Sequence, residues 1–118
     1  MTQKTTTTAS QRMMIPLATT KRKTKTPIPK ESEIRAQIKQ YLEWQGWFVF
    51  YHLQGLGSYP GLPDLQAVKD GRTIYIEVKR PGGRQSAKQK KFQQDLEAAG
   101  GIYILARKIE DLNMVKYL

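Results

Sequence analysis

The stretch Pro63-Asp-Leu-Gln-Ala-Val-Lys-Asp70-Gly71-Arg-Thr-Ile-Tyr-Ile-Glu77-Val-Lys79 decides the fold. Asp70-Gly71 sits between two runs that alternate apolar and polar residues, the strongest short-range signal for a two-residue hairpin. With those two at the centre of a type I′ turn, facing residue numbers sum to 141, so Val68 faces Thr73, Gln66 faces Tyr75 and Asp64 faces Glu77. Strand side chains alternate with period two, which sends Leu65, Ala67, Ile74, Ile76 and Val78 to a core face. The other face carries Asp64, Gln66, Glu77 and Lys79.

That second face is chemically specific. Facing side chains stand roughly 4.5–5.5 Å apart at Cβ, and like charges there destabilise a sheet, so paired carboxylates ask for a cation between them. Hard oxygen ligands suit Mg²⁺ or Mn²⁺, an ion that lowers the pKa of a bound water and neutralises charge on a phosphate. Lys79 beside it is placed to orient the attacking water or to stabilise charge developing on phosphorus. The chemistry this serves is phosphodiester hydrolysis. The bland reading of the same residues is a solvated Asp-Lys-Glu cluster on an exposed sheet face.

Outward from the hairpin the elements alternate. Glu31 to Gln45 places Ile34, Ile38, Tyr41 and Leu42 at helical spacing, after Pro27 and Pro29 and before Gly46. Trp47 to Leu53 is aromatic and β-branched, as a strand requires, and Gln54 to Pro63 is a loop rich in Gly and Pro. Because that loop runs straight into Asp64, it is expected to shape access to the scissile phosphate. Pro81-Gly82-Gly83 ends the second hairpin strand. Ser86 to Ala99 reads as a helix with Ser86 and Gln89 in capping-box spacing, Phe92 and Leu96 on its apolar stripe and Gly100 as its C-terminal cap. Ile102 to Ala106 is a last strand, and Ile109 to Tyr117 a short helix. The order α-β-β-β-α-β-(α) gives an α/β domain, a small mixed sheet flanked by helices.

Composition narrows the chemistry. The chain has 118 residues, room for about one domain. Twenty Lys and Arg against ten Asp and Glu give a net charge of +10, which favours a polyanionic partner. There is no cysteine and one histidine, His52, so disulfide scaffolds, Cys zinc sites, thiol nucleophiles and paired-His metal designs are excluded. No apolar stretch reaches the 18 or so residues of a membrane span, and a soluble intracellular protein is expected. Residues 1–30 hold seven Lys and Arg, no acid and nine Thr, the composition of a disordered arm; its cluster Lys21, Arg22, Lys23 and Lys25 serves either phosphate contacts or solvation alone. Residues 31–118 form the folded domain. Within it, Lys79 to Lys91 contains six basic residues and no acid, which is where a polyanion belongs.

Taken together, Gly61-Leu-Pro-Asp-Leu65, Asp70-Gly-Arg72, Ile76-Glu-Val-Lys-Arg-Pro81, Gly83-Arg-Gln-Ser86, Gln89, Phe92 and Gly100-Gly-Ile-Tyr-Ile-Leu-Ala106 resemble the VRR-NUC branch, the virus-type replication-repair nucleases, of the PD-(D/E)xK nucleases. The resemblance covers roughly residues 31–118. It implies a restriction-endonuclease-like αβββαβ core, metal ligation by Asp64, Glu77 and the carbonyl of Val78, and a catalytic Lys79. Family members usually carry a Glu on the first helix. Glu31, on the stripe of Ile34 and Ile38, is preferred to Glu33 for that role, although acids also favour helix N-termini for the macrodipole alone. Gln89 matches the family's glutamine after the Glu-Val-Lys strand and is also a capping partner for Ser86. Arg80, Arg84, Ser86, Lys88 and Lys90 are expected to hold phosphates rather than read bases. Stand-alone members are small phage and bacterial proteins, so the resemblance implies a cytoplasmic homodimer that cuts branched DNA such as four-way (Holliday) junctions during repair. A non-catalytic nucleic-acid-binding module that keeps the fold is the alternative, and an RNA substrate is a third possibility.

Outside that pattern, His52 reads as a partly buried strand residue or a phosphate contact. Trp44, Trp47, Phe48, Phe50 and Tyr51 fit core packing or a dimer interface better than base stacking.

Overall fold

The computed structural model describes residues 27–118; most of the basic arm, with Lys21, Arg22, Lys23 and Lys25, lies outside the described residues. Helix α1 (Glu31–Trp44) leads into strand β1 (Phe48–Tyr51), the hairpin β2 (Leu65–Lys69) and β3 (Arg72–Val78), helix α2 (Ala87–Ala98) and strand β4 (Ile102–Ala106). A 3₁₀ run, Ile109–Tyr117, takes the place of the expected last α-helix. The strands lie in the order β1-β2-β3-β4, with the first two pairings antiparallel and β3–β4 parallel across the α2 crossover. This is the restriction-endonuclease-like α/β architecture expected from the chain.

The hairpin register is the one read from the turn: Val68 pairs Thr73 and Gln66 pairs Tyr75. Asp70 and Gly71 take φ of 52° and 78°, the two left-handed residues a type I′ turn requires. Both α-helices close in the same way. Gly46 and Gly100 turn left-handed, and the next amide donates back to Leu42 in α1 and to Leu96 in α2, the Schellman arrangement.

One face of the sheet is the core. Leu65, Ala67, Ile74, Ile76 and Val78 are fully buried there beneath Ile34, Ile38 and Leu42 of α1, with Leu112 and Val115 of the 3₁₀ run completing the layer. Each fully buried Ile or Leu contributes about 2–3 kcal/mol. The other face is covered unequally. Helix α2 packs on β4 and buries no residue completely, although Phe92 and Leu96 are half-buried. The β1 side of that face stays open.

The clustered aromatics divide accordingly. Trp47 joins the core, whereas Trp44, Phe48, Phe50 and Tyr51 are exposed, Trp44 and Phe48 by 78% and 67%. Core packing therefore accounts for one of the five. For Phe48 and Phe50 the reason is topological: β1 is an edge strand, and these two project from the face opposite the Val49 side that meets α1.

Candidate active site

The site forms where the β2–β3 ladder stops. Pairing ends at Leu65–Ile76, one step short of the Asp64–Glu77 pair expected from the register. Continuing one residue further puts Pro63 opposite Val78, and proline has no N–H to donate. The Val78 amide turns instead to the Asp64 carboxylate, with Oδ2 accepting at 2.8 Å. The Val78 carbonyl, aimed at the same edge, is left without a ladder donor. The Pro63 carbonyl is taken by the His52 ring at 2.7 Å and the Gln54 amide at 3.0 Å. One proline thus ends the β2–β3 ladder, while β3 stays paired to β4 through Val78, and the Asp64 carboxylate takes the amide that the ladder gives up.

Glu77 is almost fully buried, with only 2% of its surface exposed. Its Oε2 accepts a hydrogen bond from Gln89 Nε2 at 2.9 Å and faces Lys79 Nζ at 3.3 Å. Its Oε1 is buried with no partner. Burial, and next the Asp64 charge, push the Glu77 carboxyl up to about 7 against the pull of Lys79. Asp64 is raised as well, chiefly by burial, while its bond from Val78 and the Arg35 charge work the other way. A neighbouring Tyr103 phenol, pushed up to about 12 by burial, stays neutral and accepts from Gln85 at 3.0 Å.

A buried and a half-buried carboxylate, both raised by desolvation and the first with an orphaned oxygen, form a site that a further cation would neutralise. Their all-oxygen donor set, with the Val78 carbonyl beside it, fits a hard divalent cation. Among the described residues no cluster of three or more Asp, Glu or His side chains could hold a metal ion, so a fit rests on two carboxylates and backbone.

The other expected residues fall around this centre. Glu31 opens α1, and its charge helps to raise both carboxyls. Glu33 is engaged in accepting from the Lys30 amide at 3.1 Å, which separates the two candidate acids. Gln89 plays both roles read for it: its Oε1 accepts from the Ser86 amide at 2.8 Å while its Nε2 reaches Glu77. Ser86 Oγ accepts from the Gln89 amide at 3.1 Å as the helix cap. Arg80, Arg84, Lys88 and Lys90 are all exposed, the first two in the connection from β3 to α2 and the other two in the first turn of α2.

One feature escaped the sequence. Arg35 of α1 stands 3.7 Å from Asp64 Oδ1, and its only signal was a position one turn after Glu31. His52 is partly buried, as expected, just past the end of β1, and it spends both ring nitrogens inside the protein, on Pro63 and, at 2.9 Å, on Gln66, rather than facing a phosphate. The loop before Asp64 is fastened to α2. Tyr59 packs edge-on against Phe92 with centroids 5.7 Å apart, and Gly61 approaches so closely that a Cβ would collide with the Lys88 carbonyl.

The mixed sheet and its flanking helices form a restriction-endonuclease-like α/β fold, with a carboxylate pair at the end of its central hairpin. Neither a family model nor a curated protein matches the sequence. Among solved structures, the chain is similar to one described as a VRR_NUC domain, with a TM-score of 0.64 and 19% identity over 74% of this chain and 95% of that one. The chain therefore has the VRR_NUC fold. Among the described residues, no helix is long and apolar enough to cross a membrane.

Proposed function

We propose that the protein is a divalent-cation-dependent endonuclease that hydrolyses phosphodiester bonds in DNA, with branched forms such as four-way junctions as its substrates. The observation that carries this reading is the buried Glu77, with an unpartnered oxygen, beside a second carboxylate and an amine at 3.3 Å. Asp64, Glu77 and the Val78 carbonyl would hold Mg²⁺ or Mn²⁺, which when bound supplies a water of lowered pKa and charge neutralisation at the phosphate. The remaining work falls to the chain. Gln89 and Lys79 both hold Oε2 of the Glu77 carboxylate, which leaves Oε1 free to meet the cation. The Lys79 ammonium, only 13% exposed, also serves to orient the attacking water and stabilise charge developing on the phosphate oxygens. Arg80, Arg84, Lys88 and Lys90 hold flanking phosphates without reading sequence.

Junction resolution needs two symmetric cuts and this domain has one site, so two copies act together. The exposed aromatic side of edge strand β1 supplies a contact surface for the second copy. The compartment is the cytoplasm of a bacterium or of a phage-infected host.

The test is cleavage of labelled four-way junction, flap, single-stranded and duplex DNA with Mg²⁺, Mn²⁺ or EDTA, comparing wild type with Glu77→Ala and Lys79→Ala. We expect metal-dependent cutting of the junction that both substitutions abolish while DNA binding persists. No cutting of any form, with binding retained, would make this a nucleic-acid-binding module instead.

A further inference from the structure

Arg35 is the one cation at the carboxylates that the proposed chemistry leaves without a task. Its guanidinium lies 3.7 Å from Asp64 Oδ1, longer than a hydrogen bond, and about a third of the side chain is exposed. Asp64 does not depend on it for orientation, because Oδ2 is already fixed by the Val78 amide. Arg35 lines a surface depression with Ser32, Tyr51, His52, Gln54 and Asp64. The amide and imidazole donors there are spent, His52 on Pro63 and Gln66 and the Gln54 amide on the Leu62 and Pro63 carbonyls, which leaves the Ser32 and Tyr51 hydroxyls beside Arg35. Arg35 has five N–H donors and, among the described residues, makes no hydrogen bond. A planar guanidinium at the mouth of such a depression suits a phosphate, which it grips in a bidentate fashion.

Position adds direction. The basic run from Lys79 to Lys91 lies on the α2 side of the carboxylates, whereas Arg35 approaches them from α1. We propose that Arg35 binds the phosphate adjoining the scissile one, on the α1 side, so that a substrate strand crossing Asp64 and Glu77 is held by cations on both flanks. This rests on the nuclease reading for the word scissile, and on the depression itself for the phosphate.

The first measurement is binding of a fluorescein-labelled duplex by anisotropy in EDTA over a range of salt, for wild type, Arg35→Ala, Arg35→Lys and a control charge deletion, Lys116→Ala. Losing one phosphate contact lowers the slope of log K against log salt by about 0.9 and weakens binding about tenfold near 0.1 M salt. We expect that of Arg35→Ala, recovery of the slope in Arg35→Lys, and wild-type behaviour in Lys116→Ala. In the cleavage reaction, a neutral methylphosphonate at the adjoining position should slow wild type but not slow Arg35→Ala further. An unchanged salt slope in a normally melting Arg35→Ala protein would overturn the proposal and leave Arg35 as a partner of Asp64 alone. Absence of cleavage by wild type would count against the nuclease reading, with the salt slope still deciding whether Arg35 holds a phosphate.

Discussion

The buried Glu77 makes the metal-free protein pH-sensitive in a direction that can be worked out. Its carboxyl is raised from 4.5 to about 7 on folding, so the folded state holds its proton more tightly than the unfolded chain. The stability this confers is complete below pH 4.5 and is lost as pH rises through 7. At 1.36 kcal/mol per pH unit the loss approaches about 3 kcal/mol by pH 8. Glu77→Gln removes the charge and keeps the shape, and the amide oxygen can still accept from Gln89. Part of the gain is offset because Lys79 loses its 3.3 Å partner. We expect the variant to be about 2 kcal/mol more stable than wild type at pH 8 in EDTA, a melting-temperature rise on the order of 10 °C, and nearly equal to it at pH 4.5. Mg²⁺ should then raise the melting temperature of wild type and leave the variant unmoved, because ligand binding stabilises only a state that binds. Thermal melts followed by circular dichroism across pH 4–9 test this. Parallel curves for the two proteins, or a variant less stable at pH 8, would refute the argument that an uncompensated carboxylate lies at the site.

Other perturbations separate the parts of the site. Gly61→Ala combines a left-handed φ of 77° with a backbone collision against Lys88, and should cost more than about 2 kcal/mol. Gly57→Ala, at φ 91° in open space, should cost about 1 kcal/mol; equal melting temperatures would show that the loop is not held against α2 as described. Pro63→Ala introduces an N–H opposite Val78. The lost packing of a fully buried proline, about 1–2 kcal/mol, is partly offset by a new ladder hydrogen bond. Mn²⁺ affinity should fall several-fold because that N–H competes for the Val78 carbonyl, and unchanged affinity by calorimetry would remove the carbonyl from the ligand set. Phe48→Asp, at an edge position 67% exposed, should leave the fold intact and convert a sedimenting dimer to monomer. Full junction cleavage by a wild-type monomer would dispose of the dimer instead.

What was legible in the sequence is what short-range chemistry dictates. Asp70-Gly71 fixed the turn, the turn fixed the register, and the register assigned five core residues of the hairpin to one face. The capping pair Ser86 and Gln89 was visible for the same reason. The features that escaped depend on contacts between elements far apart in the chain. The reach of Gln89 to Glu77, twelve positions away, requires the crossover to lay α2 beside β3. Arg35 sits on a polar turn of α1 that gives no sign of meeting a carboxylate 29 positions on. The density of aromatic residues from Trp44 to Tyr51 could not say which face would be covered, because that depends on α2 packing over β4 and stopping short of β1. One inconsistency could be read directly: two acids set opposite each other across a hairpin whose turn, register and core face all agree with the fold. The structure deepens it by burying Glu77 and leaving Oε1 without a partner. On the proposed reading, a bound cation would account for a carboxylate held at a cost in stability where a buried apolar residue would stabilise the same position, and Glu77 would mark where the proposed chemistry occurs.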